Sequence, residues 1–142
     1  HVVKSSQELM GVPYLWGGTS WKGVDCSGFT RTSFLMNGVY LPRDASQQAL
    51  VGDSIDSSKG FSELEKGDLL FFGRETEKGP KVVHVAIYLE NLKFIHSSGM
   101  VRYGSFDENS PDYDAYNLGR FLFAKRIIGS KNIRNLDSEK FY

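Results

Sequence analysis

The sequence of 142 residues contains a single cysteine, Cys26, and no long apolar run. One thiol can form no internal disulfide and can supply no sulfur-rich metal site. The longest apolar runs, residues 69–72 and 121–124, are far shorter than the roughly 20 residues of a membrane-spanning helix. An excess of charge of either sign is also lacking, because 17 basic residues balance 17 acidic ones. This balance gives no electrostatic reason to expect nucleic acid or an anionic membrane surface as a partner.

The apolar content is nevertheless sufficient for a core, since 40% of the residues are hydrophobic and 13% aromatic. We expect one domain, residues 1–130, and a polar C-terminal tail, residues 131–142. The residue patterns predict helices first and strands afterwards. The predicted helices are 1–11, 26–37 and 44–50; the predicted strands are 69–73, 82–89, 92–97 and 121–128, with a long surface loop at 103–119. This order indicates an α+β fold in which N-terminal helices pack on a mostly antiparallel β-sheet.

Cys26 falls in the first turn of the predicted helix 26–37, after Asp25 as the expected N-cap. Unpaired backbone N–H groups and the positive end of the helix dipole face that position. This setting favours the thiolate and is expected to lower the cysteine pKa. It also offers donors for the oxyanion of a tetrahedral intermediate. The pattern therefore predicts a catalytic nucleophile, and the alternative is a small, inert, buried thiol.

Two histidines, His84 and His96, lie twelve residues apart on consecutive predicted strands. Directly opposed residues of an antiparallel pair have a constant sum of residue numbers. The two histidines therefore share a face only if the connection around residues 89–92 has an odd length or a bulge. On one face, His84 can take the thiol proton and pass it to the leaving amine, while His96 orients the His84 ring. The alternative for each is an ordinary structural histidine.

A zinc site is a competing use of Cys26, His84 and His96. No further Asp, Glu or His has tight ligand spacing to either histidine. We therefore expect no metal and no other cofactor.

The chain resembles the NlpC-type family of bacterial cell-wall cysteine peptidases, which have a compact papain-like fold. The matching segments follow one another in order over nearly the whole sequence. They are Pro13-Tyr14-Leu15-Trp16-Gly17-Gly18, Asp25-Cys26-Ser27-Gly28-Phe29, Leu41-Pro42-Arg43, Ser46-Gln47-Gln48, Lys66-Gly67-Asp68-Leu69-Leu70-Phe71-Phe72, His84-Val85-Ala86-Ile87-Tyr88 and Phe94-Ile95-His96. Seven matches in series are far more specific than any one of them.

The resemblance implies a catalytic set of four residues. Cys26 matches the nucleophile, His84 the base and His96 the third polar member. Tyr14 matches a residue whose hydroxyl lies near the oxyanion site. Members of the family hydrolyse peptidoglycan stem peptides, typically between γ-D-glutamate and a diamino acid.

The resemblance also implies substrate contacts. Asp25 and Ser27 match positions that hold the free amine and backbone of released muropeptides, Trp16 would form a wall of the pocket, and Ser46 would be a further contact. Arg43 and Asp44 are expected to serve as ion-pair or capping residues. For the α-carboxylate of the γ-linked D-glutamate, the available cations include Arg31, Arg43 and Arg102.

Two other functions remain open on the same sequence. One is an amidase or acyltransferase with the same fold, because fold does not determine function. The other is a catalytically silent wall-binding module. The expected location is the bacterial cell envelope or the exterior, with cytoplasmic recycling as the alternative. Family members often carry an N-terminal SH3-like module, which would be absent or removed here.

Overall fold

A computed structural model describes residues 1–15, 18–20, 23–129 and 134–135, and side chains throughout these ranges except at 19–20 and 134–135. The helices are α1 (Val2–Glu8), α2 (Cys26–Leu35), α3 (Ala45–Gln48) and α4 (Ala115–Gly119). The strands are β1 (Thr19–Ser20), β2 (Gly23–Val24), β3 (Val39–Tyr40), β4 (Asp53–Ile55), β5 (Leu69–Thr76), β6 (Gly79–Tyr88), β7 (Lys93–Ser98), β8 (Met100–Ser105), β9 (Phe121–Arg126) and β10 (Arg134–Asn135).

Six strands form one antiparallel sheet in the order β4-β9-β5-β6-β7-β8. The shorter strands form two separate pairs, β1 with β2 and β3 with β10. The N-terminal helices pack against this sheet, with α2 and α3 both contacting β6. The predicted α+β fold is therefore confirmed. Among the described residues, no helix has the length and apolar character needed to cross a membrane.

The sheet buries apolar side chains on both faces. One cluster joins the helices to the sheet through Phe29, Phe34, Val85 and Ile87, among other residues. The second lies on the opposite face; its members include Leu70, Phe72, Ala86, Tyr88, Phe94 and Phe106. Alternate residues of β6 thus enter different clusters, as the period of two predicted.

Val83 departs from this alternation: the period of two would place it on the apolar face with Val85 and Ile87, but it is 47% exposed. The cause is a bulge, because Phe72 pairs with His84 whereas the next residue, Gly73, pairs with Val82. Val83 is left without a partner on β5. The bulge therefore turns Val83 outward immediately beside His84.

The β6–β7 hairpin aligns the two histidines. Tyr88 pairs with Phe94 and Ile87 with Ile95, which leaves a three-residue connection, residues 90–92, beyond the Leu89–Lys93 hydrogen bond. Asn91 and Leu92 both have positive φ, at 53° and 68°. The connection has the odd length that the sequence argument required, so His84 and His96 share a face.

Predicted element boundaries differ from those observed in two ways. Helices α1, α2 and α3 are shorter than 1–11, 26–37 and 44–50, because their last residues form turns; Gly11, Gly38 and Gly52, just beyond, all have positive φ. Strands β5 and β6 are longer than predicted, extending into the charged hairpin at residues 74–81.

The predicted loop at 103–119 is wrong over part of its length. Strand β8 occupies its beginning and pairs with β7, and helix α4 occupies its end, with Asp114 as N-cap. Strand β8 lies at the edge of the sheet, and its short sequence has one β-branched residue, Val101, and contains Gly104, so its strand signal is weak. Of the predicted tail 131–142, the structure describes only Arg134–Asn135, which pairs with Val39–Tyr40.

We expect Gly73→Ala to destabilise the protein by about 1–3 kcal/mol. A Cβ at position 73 would lie 1.9 Å from the carbonyl oxygen of Lys81, so the bulged backbone would have to move. Gly119→Ala is the matched control, since a Cβ there meets nothing within 4 Å. Urea unfolding measures both variants. Equal free energies of unfolding for Gly73→Ala and the native protein would show that the bulge is not sterically required.

Candidate active site

Cys26 is the first residue of α2, and the Asp25 carboxylate caps that helix by accepting the Gly28 N–H at 2.6 Å. The half-buried sulfur accepts hydrogen bonds from the backbone N–H groups of Val85, Ser27 and Cys26 itself. Val85 directly follows His84 on β6. The tip of the helix and the strand that carries the histidine therefore meet at the sulfur.

Burial raises the pKa of the Cys26 thiol, and the negative charge of Asp25 raises it further. Hydrogen bonds from the three backbone N–H groups lower this pKa, but by less than burial raises it. The expectation of a lowered pKa at the helix terminus is thus wrong for the resting protein. Cys26 rests as a thiol at neutral pH.

His84 and His96 form a hydrogen-bonded pair, with 2.7 Å between His84 Nε2 and His96 Nδ1. Both are buried, at 7% and 2% exposure. Burial lowers the pKa of His84 well below its usual value and that of His96 to about 4. Both rings are therefore neutral at pH 7, and one N–H is shared between them. The rings of Phe72 and Phe94 flank the pair, at centroid distances of 5.6 Å from His84 and 5.0 Å from His96.

Two side chains that the sequence argument did not single out hold the helix tip in place. Ser97, next to His96, donates from Oγ to the Val24 carbonyl at 2.7 Å. Gln48, fully buried, donates from Nε2 to the carbonyls of Ser27 at 3.0 Å and Pro42 at 2.9 Å. Gln48 lies in the family-matching segment Ser46-Gln47-Gln48, which was the available signal, but only its burial and its contacts show that it is structural.

A cavity of about 460 Å³ opens beside the sulfur. Five of the predicted site residues line it: Tyr14, Asp25, Cys26, Ser27 and Ser46. The remaining lining residues are Arg43, Asp44, Ala45, Val82 and Val83. We call this the acyl-side cavity. Trp16, the predicted wall of the pocket, lies outside the described residues.

Asp25 and Arg43 form a two-point ion pair inside this cavity, at 2.8 and 3.2 Å. Ser27 joins the pair, since its Oγ accepts from Arg43 at 3.0 Å. Hydrogen bonding to Asp25 raises the pKa of Arg43. Arg43 and Asp44 do have the ion-pair and helix-capping positions that were predicted, and both also face the cavity. Arg31 instead donates to the Leu41 carbonyl and the Tyr40 hydroxyl.

Asp44 carries the other negative charge of this cavity. It is exposed at the start of α3 and forms no ion pair with any residue that the structure describes. The acyl-side cavity therefore presents one neutralised carboxylate, Asp25, and one exposed carboxylate, Asp44.

Tyr14 lies across the cavity, with its backbone N–H bonded to the Gly99 carbonyl at 2.9 Å. Loss of solvent raises the pKa of its hydroxyl, as do the nearby charges of Cys26 and Asp25. The hydroxyl is therefore protonated at neutral pH and available as a donor. Within the described ranges, no three His, Cys, Asp or Glu side chains are grouped in a way that could hold a metal ion.

Comparison with known proteins supports the predicted resemblance. Residues 11–120 match the NlpC/P60 family. The γ-D-glutamyl-L-lysine dipeptidyl-peptidases of Bacillus cereus and Bacillus subtilis are each 41% identical over 96 residues, which is 68% of this chain. Those residues are 27% and 31% of the two relatives, so the chain spans less than a third of either protein.

The fold matches as well. The crystal structure of an NlpC/P60 family protein from Bacillus cereus superposes with a TM-score of 0.72 at 34% identity, over 88% of this chain and 38% of that one. The predicted family and fold are both confirmed.

We expect the protein to lose stability as the pH falls from about 6.5 towards 4. In that range an unfolded His96, with its usual pKa of 6.5, binds a proton that the folded residue, with a pKa of about 4, does not. The free energy of unfolding that depends on neutral His96 is fully present above pH 6.5 and amounts to at most about 3 kcal/mol. Urea unfolding between pH 4 and 7.5 should show a smaller pH dependence for His96→Asn. His1→Asn is the control and should keep the native dependence; equal slopes for all three proteins would contradict the assignment.

Proposed function

Because the chain belongs to the NlpC/P60 family, we propose that it is a cysteine endopeptidase that hydrolyses peptidoglycan stem peptides at the bond between γ-D-glutamate and the diamino acid. The observation that carries the proposal is the contact of the half-buried Cys26 sulfur, which lines the acyl-side cavity, with the backbone N–H of Val85, the residue next to His84 of the neutral, hydrogen-bonded histidine pair. The names of the Bacillus relatives support this choice of bond. We assign the activity to residues 1–130.

The reaction begins with two neutral groups. His84 uses its free ring nitrogen to take the proton from Cys26 as the sulfur attacks the γ-carbonyl of D-glutamate. A carbon–sulfur bond forms and the carbonyl electrons move to oxygen. The backbone N–H of Cys26 and the hydroxyl of Tyr14 donate to this oxyanion. His96 holds the His84 ring through the Nε2–Nδ1 hydrogen bond and stabilises its positive charge.

Collapse of the tetrahedral intermediate breaks the carbon–nitrogen bond. His84 gives its proton to the leaving amine, and a thioester remains on Cys26. A water molecule then loses a proton to His84 and attacks the thioester. The carbon–sulfur bond breaks, the acid product leaves and the thiol takes back its proton.

The acyl-side cavity would hold the N-terminal part of the substrate. We propose Asp25, Ser27 and Ser46 as contacts to the free amine and backbone, with Trp16 as a wall. Arg43 is the cation of this cavity, so it would face the α-carboxylate of the γ-linked glutamate. A peptide with both an ammonium and a carboxylate suits a cavity that has charges of both signs.

The two alternatives have less support. A lipid amidase or acyltransferase would need an apolar cleft, whereas the described lining of the acyl-side cavity includes Asp25, Arg43 and Asp44. A silent binding module would have no use for the buried histidine pair, whose desolvation costs stability at acid pH.

The location of the protein depends on the form of its substrate. A preference for free amines would indicate released muropeptides, and hence recycling. Activity on intact wall would indicate the envelope or the exterior.

The protein should cleave L-Ala-γ-D-Glu-L-Lys into L-Ala-D-Glu and L-lysine, identified by mass spectrometry. Cys26→Ser should lower kcat/KM by about a thousandfold or more, because a serine hydroxyl is a far weaker nucleophile with the same base. The urea midpoint of the variant serves as the folding control. Cleavage that is unaffected by Cys26→Ser would exclude the acyl-enzyme, and products cut elsewhere would exclude the proposed bond.

The free-amine contact is tested by the ratio of kcat/KM for a free N-terminus to kcat/KM for an N-acetylated one. Asp25→Asn keeps an oxygen for the Gly28 N–H but removes the charge, so this ratio should fall about tenfold. Asp44→Asn is the matched control, since Asp44 also caps a helix and faces the same cavity. If this ratio fell only in Asp44→Asn, the free amine would be bound by Asp44 and not by Asp25.

A further inference from the structure

A second cavity, of about 290 Å³, lies against His96. Its other walls come from strand β8 and from the segment that runs beside the β8 edge. The full lining is His96, Ser98, Arg102, Tyr103, Pro111, Asp112, Tyr113 and Asp114. None of these residues lines the acyl-side cavity.

The two cavities meet the sheet on different strands. The acyl-side cavity meets it at Val82 and Val83 on β6, whereas the second cavity meets it on β7 and β8. His84 directly follows Val83 on β6, and its hydrogen-bonded partner His96 on β7 lines the second cavity. Because the imidazole that protonates the leaving amine must face the leaving group, that group departs on the histidine side of the sulfur.

The second cavity contains charges of both signs. Arg102 is exposed and forms no ion pair or hydrogen bond through its side chain with any part of the chain that the structure describes. Asp112 has only a distant partner, at 3.9 Å from Lys93 Nζ. Asp114 caps α4 and accepts from Asn117. Two carboxylates thus stand near one unpaired guanidinium.

We propose that this second cavity, the leaving-group cavity, binds the diamino acid on the C-terminal side of the scissile bond. Arg102 binds its carboxylate, and Asp112, with Asp114 behind it, binds the ammonium of its side chain. The inference rests on the proposed function and names the part of the substrate that the acyl-side cavity does not hold. L-Lysine, the leaving residue in the names of the Bacillus relatives, carries both of these charges.

The binding of a free side-chain ammonium has a consequence for the substrate. In cross-linked peptidoglycan that amine is part of an amide, which has no charge to pair with Asp112. The leaving-group cavity therefore favours stem peptides that are not cross-linked. The need for a free carboxylate likewise favours peptides that end at the diamino acid.

Four peptides of the form L-Ala-γ-D-Glu-X separate the two contacts, where X is L-lysine, L-lysine amide, L-norleucine or Nε-acetyl-L-lysine. The native protein should prefer lysine over its amide, and lysine over norleucine, by about tenfold or more in kcat/KM, the size expected of a charge-assisted contact. Nε-acetyl-lysine should behave as norleucine does. A peptide ending in meso-diaminopimelic acid with an amidated α-carboxyl distinguishes the α-carboxylate from a side-chain carboxylate as the partner of Arg102.

The variants should act on one preference each. Arg102→Gln should abolish the preference for lysine over its amide and leave the preference over norleucine. Asp112→Asn should do the reverse. Arg74→Gln and Asp53→Asn remove exposed charges of the same kinds from β5 and β4 and should change neither ratio. Asp114 is left intact because its loss would also uncap α4.

Equal kcat/KM for lysine and its amide in the native protein, or ratios that Arg102→Gln and Asp112→Asn leave unchanged, would overturn the inference while the proposed function stands. Absence of any Cys26-dependent cleavage of these peptides would overturn the proposed function, and the inference with it.

Discussion

The contact between the tip of α2 and strand β6 is the constraint on which the site depends. The Val85 N–H reaches the Cys26 sulfur, and Ser97 on β7 fixes the Val24 carbonyl just before that helix. These contacts join residues that are 59 and 73 positions apart in the sequence. If the helix tip moved away from the sheet, thiol and imidazole would both remain intact and yet could not exchange a proton.

Solvent is also largely excluded from Cys26, His84 and His96. Burial raises the pKa of the Cys26 thiol and lowers the pKa of His84 and His96. Each shift favours the neutral form, so the resting site contains no thiolate–imidazolium pair. In the proposed reaction, proton transfer would then accompany attack on the substrate, and the donors around the sulfur would act on the charge as it develops. A site built in this way limits thiolate reactivity in the absence of substrate.

Charged side chains line both cavities. The acyl-side cavity has Asp25, Arg43 and Asp44, and the leaving-group cavity has Arg102 and Asp112. In the proposed function, separate charged contacts of this kind would suit small zwitterionic peptides. Val83, which the bulge turns outward, lines the first cavity, and the edge strand β8 lines the second.

The residue pattern by itself determined that helices precede the long strands and that Asp25 caps α2, because both follow from local periodicity and capping. It gave only the condition for His84 and His96 to share a face, and the β6–β7 register decided that this condition is met. The pattern did not reveal β8, since this short strand has a single β-branched residue, Val101, and contains Gly104, so its strand signal is weak. Only tertiary structure decided the protonation states, because desolvation depends on which segments cover a group and not on its neighbours in sequence. It also decided that Asp25 is already paired with Arg43, since that ion pair joins the start of α2 to the segment before α3, and that Arg102 lies opposite His96, since the β7–β8 register sets that pairing.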